Sequence, residues 1–309
     1  MKISAFTMCR NVTKFYYPVK ESIMSALPLV DEMVIALGES DEDDETERLI
    51  IEINSPKIKV IHTKWDLDAY PNGMVHAQQT DLAKAHCTGD WLLYLQADEL
   101  IHEKNYELIK SACTDYLDDL KVEGFLFDYF HFWGDYNHVI KGHTWYDQEI
   151  RIVRNVPEIH SWQSAQSFRY MPNFNGKDYR MVTGTRKLRV KKIKAAIYHY
   201  GWVRPPSLMT NKMQALDRIH SHSKQRFVDE FDYGDLSQLT RFTETHPKAI
   251  THWMQGFNWQ QHLNYGDRKT SRAYLLRHEK LKYRILSWIE LRLLNGNRIG
   301  AFKNFTILK

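Results

Sequence analysis

The chain has little cysteine: only Cys9, Cys87 and Cys113 in 309 residues. These are too few and too scattered for a disulfide framework or a cysteine-based zinc site, so a reducing compartment is expected. Long apolar runs are missing. No segment approaches the roughly 20 apolar residues that span a bilayer. Met1-Lys2-Ile3-Ser4-Ala5-Phe6 is too short an apolar stretch for a signal peptide. A soluble, cytoplasmic protein is expected, at most peripheral on the inner membrane face. An excess of one charge is also missing: 42 basic side chains face 38 acidic ones, a net +4. That balance does not point to nucleic acid as a partner. No internal repeat is visible, and the one low-complexity stretch is the acidic run Glu39 to Glu47.

What is present is length enough for a substantial core, as one large domain with an appendage or as two domains. Aromatic residues make up 13% of the chain, with 9 Trp and 17 Tyr. Their faces suit sugar rings and apolar ligands, and they also fill ordinary cores.

The first hundred residues alternate strand and helix. Lys2 to Met8, Glu32 to Leu37, Ile58 to His62 and Trp91 to Leu95 read as strands. Thr13 to Leu27, Glu42 to Asn54 and Met74 to Cys87 read as helices. This order predicts a parallel, doubly wound α/β sheet. Beyond residue 120, Gly124 to Trp133, Glu149 to Arg154 and Leu188 to Tyr200 predict an antiparallel extension. From Pro205 the character is helical. A boundary at Arg204-Pro205-Pro206 divides the chain into 1–204 and a helical, basic 205–309. From Arg268 onward 11 Lys or Arg stand against 2 Glu. Partial amphipathic spacing there suits an anionic membrane surface or a terminal helix packed on the domain.

Gly89-Asp90-Trp91-Leu92-Leu93-Tyr94-Leu95-Gln96-Ala97-Asp98-Glu99 reads as a buried strand ending in acid. Ligands of such sheets bind at the carboxyl ends of the strands. A carboxylate there can hold a hard divalent cation, and the cation a diphosphate. The bland alternative is a helix cap before Leu100 to Cys113. The other strands end in polar groups too: Thr7, Arg10 and Asn11 at the end of the first, Glu39 and Asp41 after the second, Trp65 and Asp66 after the third. A nucleotide lying along that edge meets all four loops.

On these motifs the sequence resembles the family 2 glycosyltransferases of the GT-A fold. The resemblance rests on the opening strand with Arg10-Asn11, the segment Ser22 to Val34, and Gly89-Asp90-Trp91 leading to Gln96-Ala97-Asp98-Glu99. It implies a mostly parallel Rossmann-like sheet with an antiparallel extension and a C-terminal helical region. It also implies transfer of a sugar from a nucleotide-diphosphate donor to a glycan or lipid-linked acceptor, with inversion and Mn²⁺ or Mg²⁺. Bacterial cell-surface polysaccharide assembly is the implied setting. Asp98 keeps the family's metal-binding position. Gln96 replaces an aspartate and, with Ala97, lines the nucleotide. Tyr198-His199-Tyr200-Gly201-Trp202-Val203-Arg204 resembles a second family segment. It implies His199 as the other metal ligand, with Arg204 and Lys212 near the phosphates.

The acceptor is expected at the aromatic strand Phe125 to Trp133, with Trp133 stacking on a sugar. A general base must take the acceptor's proton. The family often carries His-Glu after the strand matching Glu149 to Arg154, where this chain has Ile159-His160-Ser161. Serine alone is no base, which leaves Glu158, Asp147 and Glu149, with His160 beside them. Gln96 and Ser161 motivate one rival, a degenerate binding protein without turnover. A sugar nucleotidyltransferase is a second rival, but Met8-Cys9-Arg10-Asn11 has no glycine for a phosphate loop.

Overall fold

The computed structural model describes residues 1–220, 230–270, 272, 274–296, 298–300 and 303–309. The first elements are β1 (Ile3–Cys9), α1 (Val19–Ala26), β2 (Glu32–Gly38), α2 (Thr46–Ile51), β3 (Ile58–Thr63), α3 (Met74–Ala85) and β4 (Trp91–Tyr94). Then come β5 (Glu99–Ile101), α4 (Tyr106–Asp115), β6 (Gly124–Trp133), β7 (His138–Ile140), β8 (Gln148–Arg154), β9 (Ile159–Trp162), β10 (Ser167–Tyr170) and β11 (Arg186–Trp202). The remainder is α5 (Pro206–Ile219), β12 (Thr240–Arg241), α6 (Thr251–Met254), α7 (Leu281–Arg292) and β13 (Phe305–Ile307).

The fold is mixed α/β. The sheet runs β3-β2-β1-β4-β8-β6-β11-β10-β9. The four strands β3, β2, β1 and β4 are parallel. β8 then enters antiparallel to both β4 and β6, while β6 and β11 are parallel to each other. This is the expected parallel half with an antiparallel extension. Because β8 is reversed, its start at Gln148 lies at the carboxyl edge of β4. Its end, Arg154, pairs with Trp91 at the opposite edge.

Alternation along β1 divides the core. Ile3, Ala5 and Cys9 pack with Val19 and Ile23 of α1 on one face, and Phe6 packs with Ala83 of α3 on the other. A third cluster is aromatic. It joins Phe132 and Trp133 to Tyr198, Tyr200, Phe231, Tyr233 and Trp259. Residues on both sides of 204 therefore share one core, and β13 pairs with β11 of the main sheet.

Three elements differ from expectation for local reasons. The helix expected over Thr13 to Leu27 starts only at Val19. Pro18 disfavours helical geometry at the residue before it, and Asn11 and Tyr16 have φ of 53° and 54°, so the chain turns first. The helix expected from Glu42 shortens to Thr46–Ile51. There Asp44 accepts from the backbone N–H groups of Thr13, Lys14 and Thr46, so the acidic run is held in a turn before the helix. Finally, Glu99 does not cap a helix over Leu100 to Cys113. It opens β5, and α4 begins at Tyr106.

Candidate active site

The short strand β5 organises the site. It pairs with β11 so that Glu99 lies opposite His199, and β6 places His131 opposite His199 from the other side. Asp98, one residue earlier, faces the same point. Its Oδ1 is 3.7 Å from His199 Nε2, and its Oδ2 is 3.3 Å from Lys212 Nζ. Lys212 also donates to the Gly201 carbonyl at 2.8 Å. All three side chains are buried. Gly201 leaves the space between the two candidate ligands clear. A Cβ there would lie 2.5 Å from both Asp98 Oδ2 and His199 Nε2.

The protonation pattern of the two histidines follows from the hydrogen bonds. His131 Nε2 lies 2.7 Å from the Tyr146 carbonyl, which can only accept, so this nitrogen carries the proton. Burial, and then the neighbouring His199, push the His131 pKa well below its ordinary value, so the ring is neutral and Nδ1 accepts. His199 Nδ1, 2.9 Å away, must donate. Burial also lowers the His199 pKa. Its Nε2 lone pair therefore points at a carboxylate, an arrangement that calls for a cation between them. Burial opposes ionisation of Asp98, but Lys212 and the other nearby cations outweigh it and hold the carboxyl below its usual range. Burial and the Arg204 charge push Lys212 down to about 7.

Glu99 is not free to help with a metal. Arg151 Nε and Nη2 each donate to it at 2.8 Å, and Tyr129 Oη donates at 2.9 Å. The pair is fully buried. Its work is to hold the Gln96–Asp98 loop, together with Ser22 Oγ, which donates to the carbonyls of Gln96 and Glu99. Among the described residues no group of three or more His, Cys, Asp or Glu could hold a metal. Asp98 and His199 stand as a pair of candidate ligands.

A cavity of about 510 Å³ opens beside them, lined in part by Arg10, Asn11, Asp41, Trp65, Gln96, Ala97, Asp98, His199 and Lys212. Most of the residues expected to meet a nucleotide are thus brought together, and Tyr17, His76 and Leu216 join them. The Arg10 guanidinium lies 5.7 Å from the Trp65 ring centroid.

Other expected residues lie elsewhere. Thr7 is buried within β1. Glu39 is exposed and pairs with Lys64 at 3.3 Å. Asp66 is spent on a turn, accepting from the N–H groups of Asp68 and Ala69. Arg204 is fully buried, donates to the Phe15 carbonyl and lies 4.6 Å from the Tyr17 ring, behind the cavity wall. Gln96 donates to the Ala165 carbonyl at 3.2 Å, so it ties down that wall.

Trp133 is not placed to stack on a sugar. It is 3% exposed, donates to the Tyr233 carbonyl and stacks on Trp202 with centroids 4.6 Å apart. The candidate bases separate as well. Glu158 follows the far end of β8, at the edge away from Asp98, and His160 is committed to Asp81 at 2.7 Å. Asp147 and Glu149 lie at the near edge, on a second cavity. Asp147 pairs with Arg298 at 3.1 Å. Glu149 has no ion pair among the described residues, and burial, opposed by Arg151, pushes its carboxyl up to about 7.

His131 and Gly201 were missed as site residues. His131 lies in a stretch legible as strand and Gly201 just past the end of another, but their placement depends on the β5–β11–β6 register, which no local pattern encodes.

No family model matches the chain, and no curated protein sequence does. Distant likenesses exist among solved structures. TarS of S. aureus is 13% identical, with a TM-score of 0.36, over 70% of this chain and 39% of that one. Its 1–349 fragment in complex with UDP is also 13% identical, with a TM-score of 0.36, over 70% of this chain and 64% of the fragment. Glucosyl-3-phosphoglycerate synthase from Mycobacterium tuberculosis, in complex with Mn²⁺, UDP and phosphoglyceric acid, is 18% identical with a TM-score of 0.29. That match spans 42% of this chain and 43% of the synthase. The chain thus spans about two-fifths of the full length of these neighbours.

Proposed function

We propose that the chain is a glycosyltransferase of the family 2, GT-A type, moving a sugar from a nucleotide-diphosphate donor to a hydroxyl of a glycan or lipid-linked acceptor. The observation that carries this reading is the convergence of Asp98, the His199 Nε2 lone pair and the open face of Gly201 at the carboxyl edge of the sheet. The donor set fits Mn²⁺ or Mg²⁺. Imidazole with carboxylate suits Mn²⁺, and two protein ligands leave positions for phosphate oxygens and water. When bound, such an ion neutralises charge on a leaving diphosphate.

The chain's own residues do the rest. Arg10, Asn11, Asp41 and Trp65 line the part of the cavity suited to a nucleoside. Lys212 stands beside Asp98, within reach of the phosphates. Glu149 lies across the turn 163–166, whose Ala165 carbonyl accepts from Gln96 and whose Gln166 amide donates to Glu149 at 3.2 Å. In the transfer, the acceptor oxygen bonds to the anomeric carbon. The bond from that carbon to the diphosphate breaks, its electron pair leaves with the diphosphate, and the hydroxyl proton passes to Glu149. A single displacement of this kind inverts the anomeric centre.

Contact with an anionic membrane surface is part of the proposal. α7 exposes Leu281, Ile285 and Trp288 at helical spacing beside Lys282, Arg284 and Arg292. No helix among the described residues is long and apolar enough to cross a membrane.

The test is release of nucleoside diphosphate from UDP-, GDP- and dTDP-sugars with Mn²⁺, and of CMP from CMP-linked sugars. Turnover of one donor that stops in Asp98→Ala supports the reading. Absence of turnover with every donor, in protein that still binds a nucleotide, favours a binding protein.

A further inference from the structure

The second cavity is larger, about 760 Å³, and lies on the other side of the 163–166 turn from Asp98. Its walls come from the segment before β8, from the β9–β10 turn and from the chain around β13. That volume is ample for a small ligand. Three of its lining side chains are nine-tenths buried or more, and each carries a polar atom that no described residue bonds in good geometry: Thr144 Oγ1, Glu149 Oε2, whose carboxyl has the Ser167 hydroxyl close by besides Gln166, and Asn304 Oδ1. Buried polar atoms are almost always satisfied. Three orphans on one cavity mark a place where a ligand completes the bonding.

The chemistry of that ligand follows from the inventory. Glu149 Oε2 and Asn304 Oδ1 accept, so the ligand must present hydroxyl donors to them. The charges ask for something else. Arg277, Arg298, Lys192 and Lys303 line the cavity against Asp147 and Glu149. Asp147 is taken by Arg298, and Lys192 is paired with Asp128 at 3.0 Å. Arg277 is exposed and lies 4.7 Å from the Tyr283 ring. Lys303 is exposed and makes no ion pair among the described residues. Two rim cations are left for an anion.

We propose that this cavity binds a hydroxylated anion, a sugar or polyol bearing a phosphate or carboxylate. Its hydroxyls meet Glu149, Thr144 and Asn304, and its anionic group meets Arg277 and Lys303. Binding stands on the cavity alone; the ligand's role as the sugar acceptor rests on the glycosyltransferase reading above.

The test is isothermal titration of the full chain with glucose 6-phosphate, gluconate and glucose, with and without saturating nucleoside diphosphate and Mn²⁺. At least one anion is expected to bind roughly tenfold or more tighter than glucose, and to bind equally well when the nucleotide cavity is filled. The phosphate and carboxylate arms show which anion the site prefers. The double variant Arg277→Glu, Lys303→Glu changes only exposed side chains and is expected to erase the advantage of the anion over glucose. Asn304→Leu is expected to weaken anion and glucose alike. Equal binding of glucose and the anions, an undiminished preference in the double variant, or displacement of the anion by nucleotide would overturn the proposal. Nucleotide binding measured on the same protein reports separately on the first cavity, so failure of one reading does not conceal the state of the other.

Discussion

Gly201→Ala isolates the candidate metal site better than removal of a ligand, because it deletes nothing. The added Cβ would fall 2.5 Å from Asp98 Oδ2 and 2.5 Å from His199 Nε2, closer than real Cβ atoms approach other atoms. Either the ligands move apart or the methyl takes the space a cation needs at about 2.0–2.2 Å from oxygen and nitrogen. Disturbing one supporting group of a metal ligand typically costs 10–100-fold in affinity. Here both ligands are disturbed together, so a loss of at least roughly 100-fold, about 2.7 kcal/mol, is expected for Mn²⁺ with nucleoside diphosphate. Gly201 lies in β11 and has no positive φ, so alanine fits the backbone. Titration calorimetry reads the affinity, and circular dichroism checks that the variant is folded. A folded Gly201→Ala protein that binds Mn²⁺ and nucleotide within about twofold of the parent would refute the placement of a cation between Asp98 and His199.

Three further outcomes are expected. His131→Phe removes the acceptor that fixes the His199 tautomer, so Mn²⁺ affinity should fall roughly 10–100-fold by electron paramagnetic resonance titration; unchanged affinity would show that the tautomer is set otherwise. Glu149 loses its proton near the ordinary 4.5 when unfolded and near 7 when folded, so stability should fall by up to roughly 3 kcal/mol as pH rises through that window and level off above it. Glu149→Gln should flatten this slope in urea melts at about pH 5 and about pH 8 and cut kcat by roughly 10²–10⁴-fold if Glu149 is the base. Trp133→Ala should cost about 3–5 kcal/mol of stability as a buried aromatic, whereas a sugar-stacking Trp133 would lose acceptor binding with little change in the melt.

Legibility in the sequence followed the range of the interactions. The parallel half was readable because β1 to β4 are short apolar runs separated by periodic segments, and Asp98 stands out as a candidate because it follows the end of one of them. Helix starts were misjudged where side chains compete with periodicity, as Asp44 and Pro18 do. The roles of Glu99 and Trp133 were misread for another reason. Glu99 is an acid in an acidic motif, yet Arg151, 52 residues away, claims both its oxygens. Trp133 ends an aromatic strand, yet Tyr233, 100 residues on, takes its N–H. The second cavity draws on segments as far apart as Thr144 and Asn304, so neither residue carried a local signal.

The most direct test of the metal-dependent nucleotide site is a thermal-shift panel of UDP-, GDP-, dTDP- and CMP-linked sugars. Each is run with Mn²⁺ and with EDTA, on the parent chain and on Asp98→Ala. A ligand that binds only the folded state raises the melting temperature by mass action. A site held by Asp98 and His199 requires that one nucleotide raises it with Mn²⁺, and that the rise disappears with EDTA and in Asp98→Ala. A nucleotide shift of the same size in all four conditions would contradict it.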